Sequence, residues 1–139
     1  MTADEMAAIH AKAMTTPAPW GVPTFEGFLA FPGAVYAAEA AGFALGRVIA
    51  DEAELLTVAV LPEARRQGIA ARCLTGFEVT ATAKGARRVF LEVAASNAPA
   101  RALYENIGYK PIGQRPGYYR MPTGARIDAI LMEKTLSTA

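Results

Sequence analysis

The stretch from Glu54 to Ala94 constrains this chain most. "ELLTVAV" (residues 54–60) and "RRVFLEVA" (87–94) are short apolar runs rich in β-branched residues, each long enough for one buried strand. Between them, from about Gly68 to Ala83, Ile69, Cys73, Leu74 and Phe77 recur on one face of a helix, and Gly85 supplies its stop. Two strands joined through a helix of that length pair in parallel by a right-handed crossover. A strand–helix–strand unit is therefore expected at the centre of the fold.

The flanking segments add antiparallel structure. "AVYAAE" and "GFALGRVIA" precede the unit, separated from each other and from "ELLTVAV" by short turns, so the three read as a meander. "SNAPARALYENIG" reads as another helix, with Asn97 as N-cap, Pro99 in the first turn and Gly108 as terminator. A strand from Tyr109 to Gly113, a loop through "QRPGYYRMPTGA" and a final strand "RIDAILMEKTL" are expected to complete the sheet. At the start, Thr2 and Glu5 have capping-box spacing, and Met6, Ile9 and Ala13 share a helical face. Pro17, Pro19 and Pro23 end that helix, a short one follows at about Thr24–Ala30, and Trp20 is expected to pack in the joint. The fold class is α+β: a mixed, mostly antiparallel sheet with one parallel central pair and flanking helices. At 139 residues we expect a single domain covering residues 1–139.

Composition narrows the function. The 14 basic and 13 acidic side chains nearly cancel, which gives no electrostatic reason to expect nucleic acid or an anionic membrane as partner. No run of about 18 apolar residues is present to span a bilayer, the N-terminus lacks the pattern of a signal peptide, and the single Cys73 has no internal disulfide partner. A cytoplasmic location follows as the expectation. Cys73 falls on the apolar helix face and reads as a small core residue. His10, without partners at metal spacing, reads as an exposed helix residue, and no metal is expected.

The corner "RRQGIA" (65–70) carries chemistry. A helix starting near Gly68 leaves its first N–H groups without intrahelical partners at the positive end of its dipole, a setting for phosphate. Gly68 and the small Ala70 permit close backbone approach, and Arg65 and Arg66 add charge. Neither a P-loop pattern nor GxGxxG is present, which disfavours ATP and dinucleotides. On residues alone, a solvated helix start serves equally well.

"RRQGIA" after "LLTVAV" resembles the acetyl-CoA signature of the Gcn5-related N-acetyltransferases (GNAT): Gln or Arg, two residues, Gly, one residue, then Gly or Ala. "FLEVAASNAPARALYENIGY" and "RPGYYRMPTGARIDAILM" resemble the RimI-type branch, which acetylates the N-terminal alanine of ribosomal proteins; the likeness covers most of residues 43–134. The resemblance implies acetyl-CoA as cosubstrate, bound by Val58, Ala59, Val60, Arg65, Arg66, Gln67, Gly68, Ile69, Ala70, Asn97 and Tyr104. It also implies an acceptor that is a protein or peptide N-terminus, with a small-subunit ribosomal protein as the favoured one. Glu92 matches the general base and Tyr104 the general acid that protonates the departing thiolate. Tyr118 and Tyr119, flanked by Arg115 and Arg120, are candidates for the acceptor groove. Read without the family, Glu92 could be a wet-face carboxylate, Tyr104 a core aromatic and Asn97 simply a cap. Two rival functions stay open: a GNAT enzyme acting on a lysine or small amine, and a non-catalytic CoA-binding module. Two departures from the family stand out: helix signals begin at Thr2 where relatives usually have a strand, so the first edge strand is expected to be missing or very short, and residues 14–42 match loosely. Oligomeric state is not legible.

Overall fold

The computed structural model describes residues 1–14 and 18–136. Its elements are α1 (Ala3–Ala13), α2 (Val22–Leu29), β1 (Ala34–Glu39), β2 (Gly42–Ile49), β3 (Glu52–Val60), α3 (Ile69–Ala83), β4 (Arg88–Ala94), α4 (Ala98–Ile107), β5 (Lys110–Arg120) and β6 (Arg126–Thr135), with a 3-10 turn at Pro62–Ala64. They form the expected α+β architecture: one six-stranded sheet in the order β1-β2-β3-β4-β6-β5. Only β3 and β4 run parallel, and every other neighbouring pair is antiparallel. Among the described residues no strand precedes α1, as the capping signal at Thr2 suggested. The capping box forms in full: the Glu5 N–H donates to Thr2 Oγ1 at 3.1 Å and the Thr2 N–H to Glu5 Oε1 at 2.9 Å. No helix among the described residues is long and apolar enough to cross a membrane.

The sheet carries a core on each side, while its edge strand β5 is mostly exposed. One core gathers α3 side chains such as Leu74 and Phe77 against Ala44, Leu55 and Val89, and takes in Tyr104 of α4; the other packs Met6 and Ile9 of α1 and Phe25 of α2 on Phe43, Leu45 and Ala59. In the first core the Glu78 carboxylate accepts from Tyr109 Oη at 2.8 Å and from Lys134 Nζ at 2.7 Å. Burial of this carboxylate is tolerable because both oxygens are satisfied. Burial, followed by the nearby Glu78 charge, pushes the Tyr109 pKa far up and keeps its hydroxyl a donor. Cys73 is buried as expected, and desolvation pushes its thiol pKa up.

Strand β3 is irregular at a decisive place. Leu45 of β2 lies opposite Thr57 while its neighbour Gly46 lies opposite Leu55, so Leu56 has no partner and forms a bulge. Regular alternation would put Leu55, Thr57 and Ala59 on one face. With the bulge, Ala53 and Leu55 pack on the α3 side, whereas Ala59 packs on the α1–α2 side and Thr57 meets His10 of α1. β3 and β4 pair only through Glu52/Arg88, Ala53/Val89 and Glu54/Phe90, and beyond these residues the two strands splay apart.

Two sequence expectations are corrected. The segment 114–120, expected as loop, is strand: β5 runs from Lys110 to Arg120 on the edge of the sheet, and its prolines are accommodated because the ladder breaks register at Pro111/Gly113 and again at Arg115/Tyr119. Only residues 121–125 form the turn before β6. His10, expected to be exposed, is fully buried, because Trp20 stacks on its ring at 4.9 Å and Phe25 meets it edge-on at 5.2 Å.

Candidate active site

The splay between β3 and β4 leaves backbone groups unpaired. The Leu61 N–H donates to Ala41 O at 2.8 Å, on the β2 side. Strand alternation then turns the N–H and C=O groups of Val60 and Val58 toward the gap. Two clefts enter it from opposite sides, of about 840 and 810 Å³. They share Met14, Val58, Ala94, Asn97, Ala100 and Tyr104, so a group carried in one cleft can meet a group carried in the other.

The larger cleft holds the phosphate corner. Gly68 is the N-cap of α3 with φ +76°, a left-handed backbone that favours glycine, and no side chain caps the helix. The first-turn N–H groups of α3 are left for a ligand. Of the residues expected at the cofactor, Val58, Ala59, Val60, Arg65, Arg66, Gly68, Ile69, Ala70, Asn97 and Tyr104 line this cleft, and Gln67 does not and stands exposed. The two arginines differ in their partners. Arg65 donates through Nη2 to Ala13 O at 3.1 Å, which ties the loop to the end of α1, while among the described residues Arg66 has no hydrogen bond or ion pair and is the free cation of the corner. Sequence reasoning missed Arg72. Its guanidinium grips both oxygens of Glu39 at 2.7 and 2.8 Å and donates to Gln67 O at 2.8 Å, fixing the turn before α3. A Cβ on Gly68 would come within 3.1 Å of Arg72 Nη1. A cationic turn with unfilled amides and no side chain in the way fits a phosphorylated ligand.

The other cleft is lined by Glu92, Tyr118, Tyr119 and Arg115 on one side and by His10, Trp20, Phe28 and Thr57 on the other. Glu92 is only half-buried: it lies on the cleft-facing side of β4 and pairs with Arg115 Nε at 3.2 Å. Arg115 also lies over the Tyr118 ring at 5.5 Å, and Tyr118 and Tyr119 meet edge-on at 5.0 Å. Both tyrosines thus reach the groove, Tyr118 the more exposed. Their placement depends on the β5 irregularity, which Asp128 of β6 braces: Oδ1 accepts the Gly117 N–H at 2.8 Å and Oδ2 accepts from Gln114 Nε2. Burial first, then the Glu92 charge, pushes the Tyr119 pKa up to about 12. Its hydroxyl therefore stays protonated beside the carboxylate.

At the junction, Asn97 caps α4 by accepting the Ala100 N–H on Oδ1 at 3.2 Å while lining both clefts. Tyr104 is buried on α4, and desolvation, reinforced by Tyr119, raises its pKa strongly. Such a hydroxyl gives up its proton only to a basic partner. Among the described residues no group of three His, Cys, Asp or Glu side chains could hold a metal ion.

Residues 5–109 match the model of the acetyltransferase (GNAT) family. The [ribosomal protein bS18]-alanine N-acetyltransferase of Escherichia coli (strain K12) is 36% identical over 141 residues, covering 98% of this chain and 94% of that protein. The like-named protein of Haemophilus ducreyi is 39% identical over 90 residues, 65% of this chain and 62% of that one. Among solved structures, the ribosomal-protein-S18-alanine N-acetyltransferase from Escherichia coli superposes with a TM-score of 0.84 at 33% identity, over 96% of this chain and 86% of that chain. Arabidopsis thaliana NAA60 in complex with acetyl-CoA gives 0.82 at 19% identity, over 96% and 92%, a likeness of fold.

Proposed function

Since this chain belongs to the acetyltransferase (GNAT) family, we propose that it acts as a single domain moving an acetyl group from acetyl-CoA to the α-amine of a protein N-terminus, the N-terminal alanine of a small-subunit ribosomal protein being the favoured acceptor. The observation that carries this reading is the meeting of the two clefts at Val58, Asn97 and Tyr104, with Glu92 on the acceptor side alone.

Acetyl-CoA, when bound, supplies the acetyl group as a thioester. The chain's own residues do the rest. The amides at the start of α3 and the Arg66 side chain hold phosphate, and the gap-facing backbone of Val58 and Val60 pairs with an extended arm and polarises a carbonyl. Glu92 accepts the amine proton, directly or through one water, and Tyr104 donates its proton to the leaving thiolate. Tyr118 and Tyr119 wall the acceptor. An α-amine, with a pKa of about 7.7–8.0, is far more often neutral near pH 7 than a lysine at about 10.4, so a single carboxylate suffices.

The test is mass-spectrometric. Paired peptides begin with Ala and carry one internal Lys, with the α-amine free in one and blocked in the other. Acetylation of the free N-terminus alone is expected; lysine acetylation of both peptides would replace this reading with the lysine alternative. Glu92→Gln is expected to lower kcat by about 10²- to 10⁴-fold with the KM for acetyl-CoA unchanged, and unchanged turnover would remove Glu92 from the mechanism.

A further inference from the structure

Both ring nitrogens of the buried His10 are engaged. The Trp20 N–H donates to Nδ1 at 2.9 Å, and Nε2 lies 3.0 Å from Thr57 Oγ1. A backbone amide nitrogen donates and does not accept, so Nδ1 must be the bare nitrogen. The neutral ring then carries its proton on Nε2 and gives that hydrogen bond to Thr57. Desolvation holds the His10 pKa down at about 4, so this tautomer persists throughout the neutral range.

The assignment passes on to Thr57. With Oγ1 accepting from His10, its own O–H must rotate elsewhere, yet among the described residues Thr57 makes no other side-chain hydrogen bond. Thr57 is one of the residues lining the acceptor cleft, immediately before Val58 and across the splay from Glu92. A hydroxyl whose oxygen is taken by His10 and whose proton has no partner among the described residues, on a residue next to the junction where the amine must sit, is a donor waiting for an acceptor atom.

We infer that Thr57 is a substrate-binding residue whose hydroxyl donates to the first peptide carbonyl of the acceptor, and that His10 is the positioning residue that aims it. An N-terminal residue carries a carbonyl carbon two bonds from its amine nitrogen, whereas the ε-amine of lysine and simple alkylamines carry none there. The His10–Thr57 pair thus selects for the N-terminal residue of a chain, which deepens the proposed function and rests on it. The bulge at Leu56 is what brings Thr57 to the His10 side of the sheet.

A double-mutant cycle between enzyme and substrate isolates this contact. An Ala-initiated peptide and the same peptide with its first carbonyl converted to a thioamide, a poorer acceptor, are compared with the wild-type protein, Thr57→Val and Thr57→Ser. The wild type and Thr57→Ser are expected to lose about 3- to 10-fold in kcat/KM on thionation, the worth of one neutral hydrogen bond. Thr57→Val is expected to show little response to thionation, at an unchanged KM for acetyl-CoA. Each ratio is taken within one preparation, so partial unfolding of a variant cancels. Equal thionation losses in the wild type and Thr57→Val overturn the inference while leaving the α-amine reading intact. Failure of the wild type to acetylate the α-amine of the ordinary peptide overturns the reading, and the inference with it.

Discussion

Acidification should destabilise this protein through His10, the only histidine in the chain. Its pKa falls from 6.5 to about 4 on burial, a difference of about 2.5 units. At about 1.36 kcal/mol per unit, this corresponds to about 3 kcal/mol, a large share of a typical ~5–15 kcal/mol total stability. The folded pKa lies below the unfolded one, so the unfolded chain binds the proton more readily. The contribution is therefore complete above pH 6.5, declines as pH falls from 6.5 to 4, and is gone below. Structurally, a proton on Nδ1 would confront the Trp20 N–H with a second donor. Glu5, hydrogen-bonded to Thr2, and Glu39, held by Arg72, have pKa values lowered from 4.5, so their contributions are present above that pH and are lost as pH falls through and below it. Urea unfolding at half-unit steps between pH 7.5 and 4.5 should give a slope approaching about 1.4 kcal/mol per pH unit. The single imidazole Cε1–H resonance should titrate near 4, and His10→Gln should flatten the slope. A resonance midpoint near 6.5 with no loss of stability across the window would refute the argument.

Two glycines give further tests. Gly68→Ala forces a left-handed Ala at φ +76° and crowds Arg72, for about 1–2 kcal/mol. The KM for acetyl-CoA should rise while the peptide KM holds, and an unchanged acetyl-CoA KM would detach this corner from cofactor binding. Gly46→Ala places a Cβ 2.2 Å from Glu54 O and 2.7 Å from the Phe77 ring. Neither backbone nor packed ring can yield cheaply, so a loss of about 3 kcal/mol in urea unfolding is expected; a loss below about 1 kcal/mol would mean the strand pair opens there at little cost.

Local chemistry made much of this molecule legible. The helix caps at Thr2, Asn97 and Gly108, the α3 stripe of Ile69, Cys73, Leu74 and Phe77, and the parallel β3–β4 unit stand where residue pattern placed them. The residues that the family resemblance singled out, Gln67 apart, line one or both of the two clefts. What escaped depends on partners distant in sequence. Gly117 and Pro116 read locally as loop, but Asp128, eleven residues past Gly117, holds the bulged strand together. His10 is polar on its own, yet Trp20, Phe25 and Thr57 enclose it. The ion pairs Arg72–Glu39 and Arg115–Glu92 join residues with no helical or strand spacing between them. Nothing in residue type alone foretells such meetings.

The unmatched Leu56 also bears on how this sequence can change over generations. As the extra residue, it is the one whose loss the strand can absorb: without Leu56, Leu55 and Thr57 would follow one another opposite Gly46 and Leu45, leaving Thr57 and Ala59 on the α1–α2 side and Val58 and Val60 toward α3. The bulge is thus an insertion that the strand has absorbed, a change of length that would elsewhere turn every later side chain to the opposite face but here leaves the rest of β3 in register.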